Sequence, residues 1–333
     1  MKIFLTGGAG FIGSHIADAL VAGGHEVIIY DNFSSGHMEN LSGIEGKIKI
    51  IKGDILDKEK LFSSCPKGVD VISHQAAQLE IFKCLDDPVI DLKTNTIGTV
   101  NVLELARSRN IRKVINASSA CVYGQPEKIP QTEEHPVRPN WPYGASKLVA
   151  EHYARIYMET YGINVVNLRY GIVYGPREWY GRVLTMFLSR IYQKQVPVVF
   201  GDGSVLRDFT SVFDAVDFNM RCLENKNVWG RSFNVSSGIG TSVKELSEIT
   251  CRVLGEGRIK PVFEDVKEGE FSRNMPTRKR IPQELKAMVL SCGLAGEITG
   301  YKPMHTLEQG IKEEYDWLLR NPDRWDMKGM VKV

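Results

Sequence analysis

Ser119, Cys121, Tyr143 and Lys147 stand close together in the chain and carry side chains able to exchange protons. Tyr143 and Lys147 frame the run Tyr-Gly-Ala-Ser-Lys, and a separation of four brings both onto one face of a helix. Pro142, just ahead of them, suits a first helical position. A free tyrosine ionises near pH ~10, and a neighbouring ammonium favours the phenolate, so the pair predicts a phenol that acts as a base nearer neutrality. Ser118 and Ser119 follow the apolar run 114–117, which reads as a strand. They therefore fall at its carboxyl end, where ligands bind in open parallel sheets, and Ser119 can share a hydrogen bond with Tyr143 and a substrate hydroxyl. Tyr-x-x-x-Lys also recurs by chance on surface helices, so this spacing gains its weight from what accompanies it.

What accompanies it is Thr6-Gly7-Gly8-Ala9-Gly10-Phe11-Ile12-Gly13, a G-x-G-x-x-G turn between a strand at 2–5 and an amphipathic helix. That helix carries Ile12, Ile16, Ala19 and Leu20 on one face and stops at Gly23 and Gly24. Gly7 permits the tight turn, Gly10 lets backbone approach a pyrophosphate at the positive helix end, and Gly13 lets the helix pack on the sheet. Asp31 ends the next strand, 27–30, where a carboxylate accepts hydrogen bonds from ribose hydroxyls and repels a 2′-phosphate. NAD is therefore favoured over NADP. Asp54 follows the third strand and suits either an adenine amino group or the N-cap of a helix.

The elements that must position these residues alternate. Apolar runs at 48–51, 69–73, 114–117 and 165–168 are separated by helical stretches around 92–107 and 143–161. This predicts an α/β, Rossmann-type doubly wound parallel sheet over 1–175. Denser prolines, glycines and charged turns from 176 to 333 predict a smaller C-terminal α/β substrate domain, with part of 206–240 returning to the first. Forty-two basic residues against forty acidic ones argue against a nucleic-acid or membrane-surface partner, and the basic triplet Arg278-Lys279-Arg280 reads as a solvated loop. Six scattered cysteines form no Cys-x-x-Cys pair or Cys/His cluster, so neither a metal nor a disulfide framework is expected. With a strand from Lys2, no room for a signal peptide and no apolar run of the roughly 18 residues that span a bilayer, the expected location is the cytoplasm.

Taken together, the motifs resemble those of the extended short-chain dehydrogenases/reductases, specifically the NAD-dependent sugar epimerase/dehydratase family. The matching residues are TGGAGFIGSH from Thr6, DNFSSG from Asp31, GD at Gly53, HQAAQ from His74, Asn95, SSACVYG from Ser118, YGASK from Tyr143, RYGIVYGPR from Arg169 and RDF from Arg207. The resemblance implies a sheet domain that holds NAD and a smaller domain that closes over a nucleotide-diphosphate sugar. On the cofactor side it implies Phe11, Ile12, Asp31, Asn32, Gly36, Asp54, Ile55, Ala76, Ala77, Gln78, Asn95, Ser118, Tyr143, Lys147, Tyr170 and Val173, with the loop glycines. On the substrate side it implies Ser119, Cys121, Tyr143, Ile172, Arg182, Val183, Val198, Phe200, Arg207, Val243, Lys267 and Glu270, with Arg207 against the diphosphate. It also implies a homodimer joined through the helix carrying Tyr143 and the one before it.

The slot after Ser119 narrows the reaction. Similar 4,6-dehydratases place Thr-Asp-Glu there and related decarboxylases keep the glutamate, whereas this chain has Ser119-Ala120-Cys121. Elimination and decarboxylation lack their carboxyls, and the resemblance is greatest to UDP-glucose 4-epimerases, acting on a UDP-hexose. GDP-mannose 3,5-epimerases carry a similar Ser-Ala-Cys run, so Cys121 is either a base or a compact packing residue. Ile172 and Lys267 replace an asparagine and an arginine of many relatives. Arg177 and Arg182 suit surface ion pairs, or a uronic acid carboxylate if one points inward. UDP-glucuronate or UDP-N-acetylhexosamine 4-epimerisation, keto-sugar reduction and a non-catalytic nucleotide-binding scaffold are the remaining readings.

Overall fold

The computed structural model describes residues 1–178, 181–255 and 258–324. Its strands are β1 (Lys2–Thr6), β2 (Glu26–Asp31), β3 (Ile48–Lys52), β4 (Val71–His74), β5 (Lys113–Ser119), β6 (Asn164–Tyr170), β7 (Ile172–Tyr174), β8 (Val198–Phe200), β9 (Leu206–Ser211), β10 (Ser232–Val235), β11 (Gly240–Ser242), β12 (Val262–Glu264) and β13 (Ala287–Met288). The helices are α1 (Phe11–Ala22), α2 (Lys58–Ser64), α3 (Ile81–Asp86), α4 (Pro88–Asp91), α5 (Gly98–Ser108), α6 (Pro142–Tyr161), α7 (Val183–Tyr192), α8 (Val212–Glu224), α9 (Val243–Gly255), α10 (Gly293–Thr299) and α11 (Leu307–Arg320).

A seven-stranded parallel sheet in the order β10-β6-β5-β4-β1-β2-β3 forms the larger lobe. Its strands read as continuous apolar runs because helices cover both faces. Side chains alternate across the pleat with period two: Ile3 and Leu5 pack with Ile16 and Leu20 of α1 and Phe218 of α8, while Phe4 packs with Leu61 of α2, Val102 of α5 and Ala154 of α6. Burying each such side chain contributes about 1.5–3 kcal/mol. β1 pairs with both β2 and β4, so the connections from β1 and from β4 diverge to opposite sides and leave a crevice at their carboxyl ends.

After β6 the chain leaves this sheet, and β10 returns to pair with β6 at its edge. The smaller lobe centres on β9, which pairs with β7, β11 and β13, beside the short β8–β12 pair. Tyr174, Phe187, Leu246, Ile311 and Leu318 join α7, α9 and α11 into its own core.

Two expected elements begin differently. The strand expected over 69–73 starts at Val71; just ahead of it the Asp70 side chain accepts a hydrogen bond from the Lys2 backbone N–H at 2.7 Å, in the place a strand carbonyl would take, and the Asp70 N–H donates to the Lys2 carbonyl at 2.9 Å. The helix expected around 92–107 opens as a π-helical stretch, Leu92–Ile97, before α5. Among the described residues no helix is long and apolar enough to cross a membrane, no His/Cys/Asp/Glu group suits a metal ion, and the six cysteines are unpaired.

Candidate active site

A cavity of about 640 Å³ lies between the carboxyl ends of the central strands and the smaller lobe. On the sheet side it is lined by Gly7, Gly10, Phe11, Ile12 and Gly13, by Asp31, Asn32, Asp54 and Ile55, and by Ala76, Ala77 and Gln78. A Cβ on Gly13 would lie 2.1 Å from the Gly7 carbonyl oxygen, whereas one on Gly10 would meet only that oxygen at 3.2 Å. Gly13 is therefore glycine so that α1 can pack, and Gly10 keeps the cradle open. The first turn of α1 carries neither an acidic residue nor a capping side chain, which leaves its N–H groups to an anion.

Asp31 is fixed by two backbone N–H donors, Ala9 to Oδ2 at 2.9 Å and Phe33 to Oδ1 at 2.8 Å. Burial pushes its carboxyl up, opposed by those bonds. Gly36 does not line the cavity; it lies under Asp31, where a Cβ would come within 3.1 Å of Oδ1. Asp54 accepts from Asn32 Nδ2 and the Leu56 N–H, and the cap of α2 is Asp57, which accepts from the Lys60 N–H at 3.0 Å. The N-cap alternative for Asp54 is thereby set aside. Asn95 sits behind the wall, where its amide locks Gln78 from both sides, accepting its N–H at 2.9 Å and donating to its carbonyl at 3.0 Å.

Ser118, Ser119, Cys121, Tyr143, Lys147 and Tyr170 meet at the floor of the same cavity. Ser118 and Ser119 are the last two residues of β5, paired with Arg169 and Tyr170 of β6, rather than beyond the strand. Tyr143 and Lys147 lie in the first turns of α6, begun by Pro142 and ended by Gly162 in the left-handed conformation. Gly144 admits this helix to the site, since a Cβ there would stand 2.2 Å from the Cys121 carbonyl oxygen. Ser119, Cys121 and Tyr143 line the same part of the cavity, and the Ser119 Oγ accepts from the Cys121 N–H at 3.2 Å.

Lys147 donates to the Ala117 carbonyl at 2.8 Å. Burial lowers the Lys147 ammonium to about 8, opposed by Asp91 and then Glu151. Burial likewise pushes Tyr143 above its ordinary value, reinforced by Cys121 and Asp91 and opposed by Ser119 and Arg182. The expectation of a lowered phenol from the Tyr143–Lys147 pair is therefore corrected: in the structure the phenol is held above its ordinary value instead, with desolvation the dominant cause. Burial also pushes the Cys121 thiol up, so it stays protonated at neutral pH.

Ile172, Val173, Arg182, Val183, Val198, Phe200, Arg207 and Val243 line the opposite wall. Arg207 is held by the carbonyls of Leu206 at 2.9 Å and Leu285 at 2.8 Å. Arg182 pairs with buried Glu178 and reaches the Val173 carbonyl, whereas Arg177 turns away to Asp18 at 2.7 Å and to Ser14. Lys267 and Glu270 do not line the cavity. Arg278, Lys279, Arg280 and Glu284 do, which corrects the reading of the basic triplet as a solvated loop. The loop doubles back on itself through Gly269 N–H to Arg280 carbonyl and a Phe271–Lys279 bridge, and this fold turns the later strand of the loop inward. The sequence carried one hint, Glu284 four residues past Arg280, which the structure joins as an ion pair at 2.9 Å.

Residues 3–236 match the model of the NAD dependent epimerase/dehydratase family. A Methanocaldococcus jannaschii protein provisionally named UDP-glucose 4-epimerase is 38% identical, covering 96% of this chain and 99% of its own. The UDP-glucose 4-epimerase of Mycolicibacterium smegmatis is 33% identical over 95% of this chain and 98% of its own. Among solved structures, the UDP-glucose 4-epimerase of Thermotoga maritima with UDP-glucose superposes with a TM-score of 0.86 at 32% identity, covering 97% of this chain and 100% of that one. The open glycine cradle and the anchored Asp31 carboxylate fit NAD. With fold, cofactor loop and sequence in agreement over most of its length, the chain belongs to the NAD-dependent epimerase/dehydratase family.

Proposed function

We propose that this protein is an NAD-dependent nucleotide-sugar 4-epimerase acting on a UDP-hexose of the UDP-glucose/UDP-galactose type through a transient 4-keto sugar. The observation that carries the reading is the floor of the cavity. Ser119, Tyr143 and Lys147 come together there, while Ala120 and Cys121 leave the adjoining slot without the carboxyl that elimination needs. Residues 1–175 with α8 and β10 hold NAD in this reading, and the remainder closes over the sugar nucleotide. NAD, when bound, supplies the acceptor and donor of the C4 hydride. Tyr143 takes the C4 hydroxyl proton and returns it after the keto sugar has presented its other face, Ser119 holds that hydroxyl, and Lys147 adds positive charge beside them. Hydride and proton both return, so the reaction has no net redox change. Arg207 and Arg280 face the diphosphate, and Val198, Phe200 and Val243 the base.

The protein is expected to be a homodimer. Val149, Tyr153 and Ile156 leave an apolar face of α6 exposed, and Val89, Ile90, Leu92 and Ile97 do the same on the preceding helical segment. Six unpaired cysteines suit the reducing cytoplasm. The decisive experiment incubates the protein with UDP-, GDP- and dTDP-sugars in deuterated water and follows the products by NMR. Inversion at C4 without deuterium is expected. Deuterium at C3 or C5 would assign the base role to Cys121, and turnover only with added NADH or NADPH would replace the epimerase by a keto-sugar reductase. UDP-glucuronate belongs in the panel because Arg182 lines the cavity.

A further inference from the structure

Behind the site lies a buried carboxylate that sequence reading did not single out. We propose that Asp91 is a positioning residue for the reaction: it joins the Tyr143–Lys147 turn of α6 to the cofactor-side loop at Gln78, and it sets a buried carboxylate behind that turn. Asp91 closes α4 and is 0% exposed. Its Oδ2 accepts the Ser146 hydroxyl at 2.7 Å, and its Oδ1 accepts from Asn95 Nδ2 at 3.1 Å and Gln78 Nε2 at 3.3 Å. Ser146 lies between Tyr143 and Lys147 on α6, and its Oγ also accepts from Asn95 at 3.1 Å. One carboxylate thus ties the catalytic turn, the π-helical stretch and the loop beside the cofactor into a single network.

The donors to Asp91 are all neutral, so no ion pair cancels its charge, and of the two carboxylates that act on Lys147 it acts more strongly. The other titratable groups facing Lys147 contribute less. Glu151, one turn along α6, already accepts Arg169 Nε at 3.0 Å and Nη2 at 2.7 Å, with Ser118 at 2.5 Å, so its field is largely cancelled by a guanidinium. His74 on β4 is held neutral by burial, its value lowered to about 3, and the Tyr143 phenol is pushed up. Burial brings Lys147 to about 8 even with both carboxylates present. Without Asp91 the ammonium would be lost nearer neutrality, and with it the positive charge beside Tyr143.

The kinetic part of the test rests on the epimerase reading; the spectroscopic part does not. Protein carrying 13C-labelled lysine, with the Lys147 signal assigned by comparison with Lys147→Arg, is titrated by NMR as wild type and as Asp91→Asn. The Lys147 midpoint should fall by about one pH unit or more in the variant, and an unchanged midpoint would overturn the proposal. Should Asp91→Asn not fold, Asp91→Ser carries the same expectation. In kinetics the alkaline limb of kcat should move to lower pH in Asp91→Asn and return in Asp91→Glu. Ser146→Ala keeps the charge but cuts the tie, and should lose several-fold in kcat, change KM less than twofold and release NAD faster. Wild-type kcat and NAD release in Ser146→Ala would refute the positioning role. A wild type without epimerase activity would remove the epimerase reading and leave the NMR comparison to decide on Asp91.

Discussion

In the proposed reaction Tyr143 is the residue on which the chemistry turns, and its burial decides what it can do. A phenol pushed up by desolvation is a poor base until positive charge gathers around it. That makes the cations facing it, Lys147 and Arg182, part of the acid–base device rather than simple binding groups. Tyr143→Phe removes the proton carrier while leaving the ring, so kcat should fall by roughly 10²–10⁴-fold with NAD still copurifying. Loss of NAD from this variant would show that the phenol binds the cofactor more than it moves protons. Cys121 gives the opposite expectation: a buried, protonated thiol in an apolar cluster with Val122 and Trp141 is a packing group. Cys121→Ser should keep 4-epimerase turnover within a few-fold of wild type, and its abolition would point to carbon-acid chemistry at C3 or C5.

At the scale of elements, the site is the meeting of two helix starts with one sheet edge. α1 and α6 both approach closely through glycine, at Gly13 and Gly144, where a Cβ would collide with a backbone carbonyl oxygen. Neither collision is relieved by a rotamer change, because backbone and not a flexible side chain stands in the way. Gly13→Ala should therefore release NAD and lower the melting temperature, whereas Gly43→Ala, where no atom lies within 4 Å, should do neither. Equal NAD retention in the two variants, measured by absorbance after denaturation, would refute this account of α1. The π-helical stretch between α4 and α5 belongs to the same design. It turns Asn95 toward Gln78 and Ser146 while α5 continues beneath the sheet.

For the whole molecule, the two lobes are joined by contacts that respond to pH. His15 of α1 hydrogen-bonds to the Pro176 carbonyl at 2.8 Å, and burial followed by the charge of Arg177 lowers it to about 4. A histidine unfolded at 6.5 and folded at about 4 takes up its proton preferentially in the unfolded chain between those values. Its share of stability is whole above pH 6.5 and is lost as pH falls toward 4. Relative to wild type, His15→Gln should therefore gain on the order of 1.4 kcal/mol per pH unit from 6.5 down to about 4 in urea unfolding. A difference that stays constant with pH would show that His15 is not buried neutral. The exposed apolar face of α6 makes the remaining prediction. Tyr153→Glu combined with Ile156→Glu should give a monomer by light scattering, and an unaltered mass would locate any interface elsewhere.

Much of this was legible in the chain itself because it depends on local chemistry. A glycine loop between an apolar strand and an amphipathic helix, an acid at the end of the next strand, and a tyrosine and lysine one helical turn apart each need only neighbours in sequence to be recognised. Gly7, Gly10, Gly13, Asp31, Ser119, Tyr143 and Lys147 were identified on that basis, and the structure gathers them around one cavity. What depends on distant segments was not legible. The inward turn of Arg278 to Arg280 is set by the folding back of their own loop against the smaller lobe. The Asp91–Ser146 contact spans 55 positions, and Asp91 alone looks like an ordinary acid near a helix end. Desolvation, too, exists only once the core has closed around a side chain, which is why sequence could pair Tyr143 with Lys147 while only the tertiary structure could fix the charge each carries.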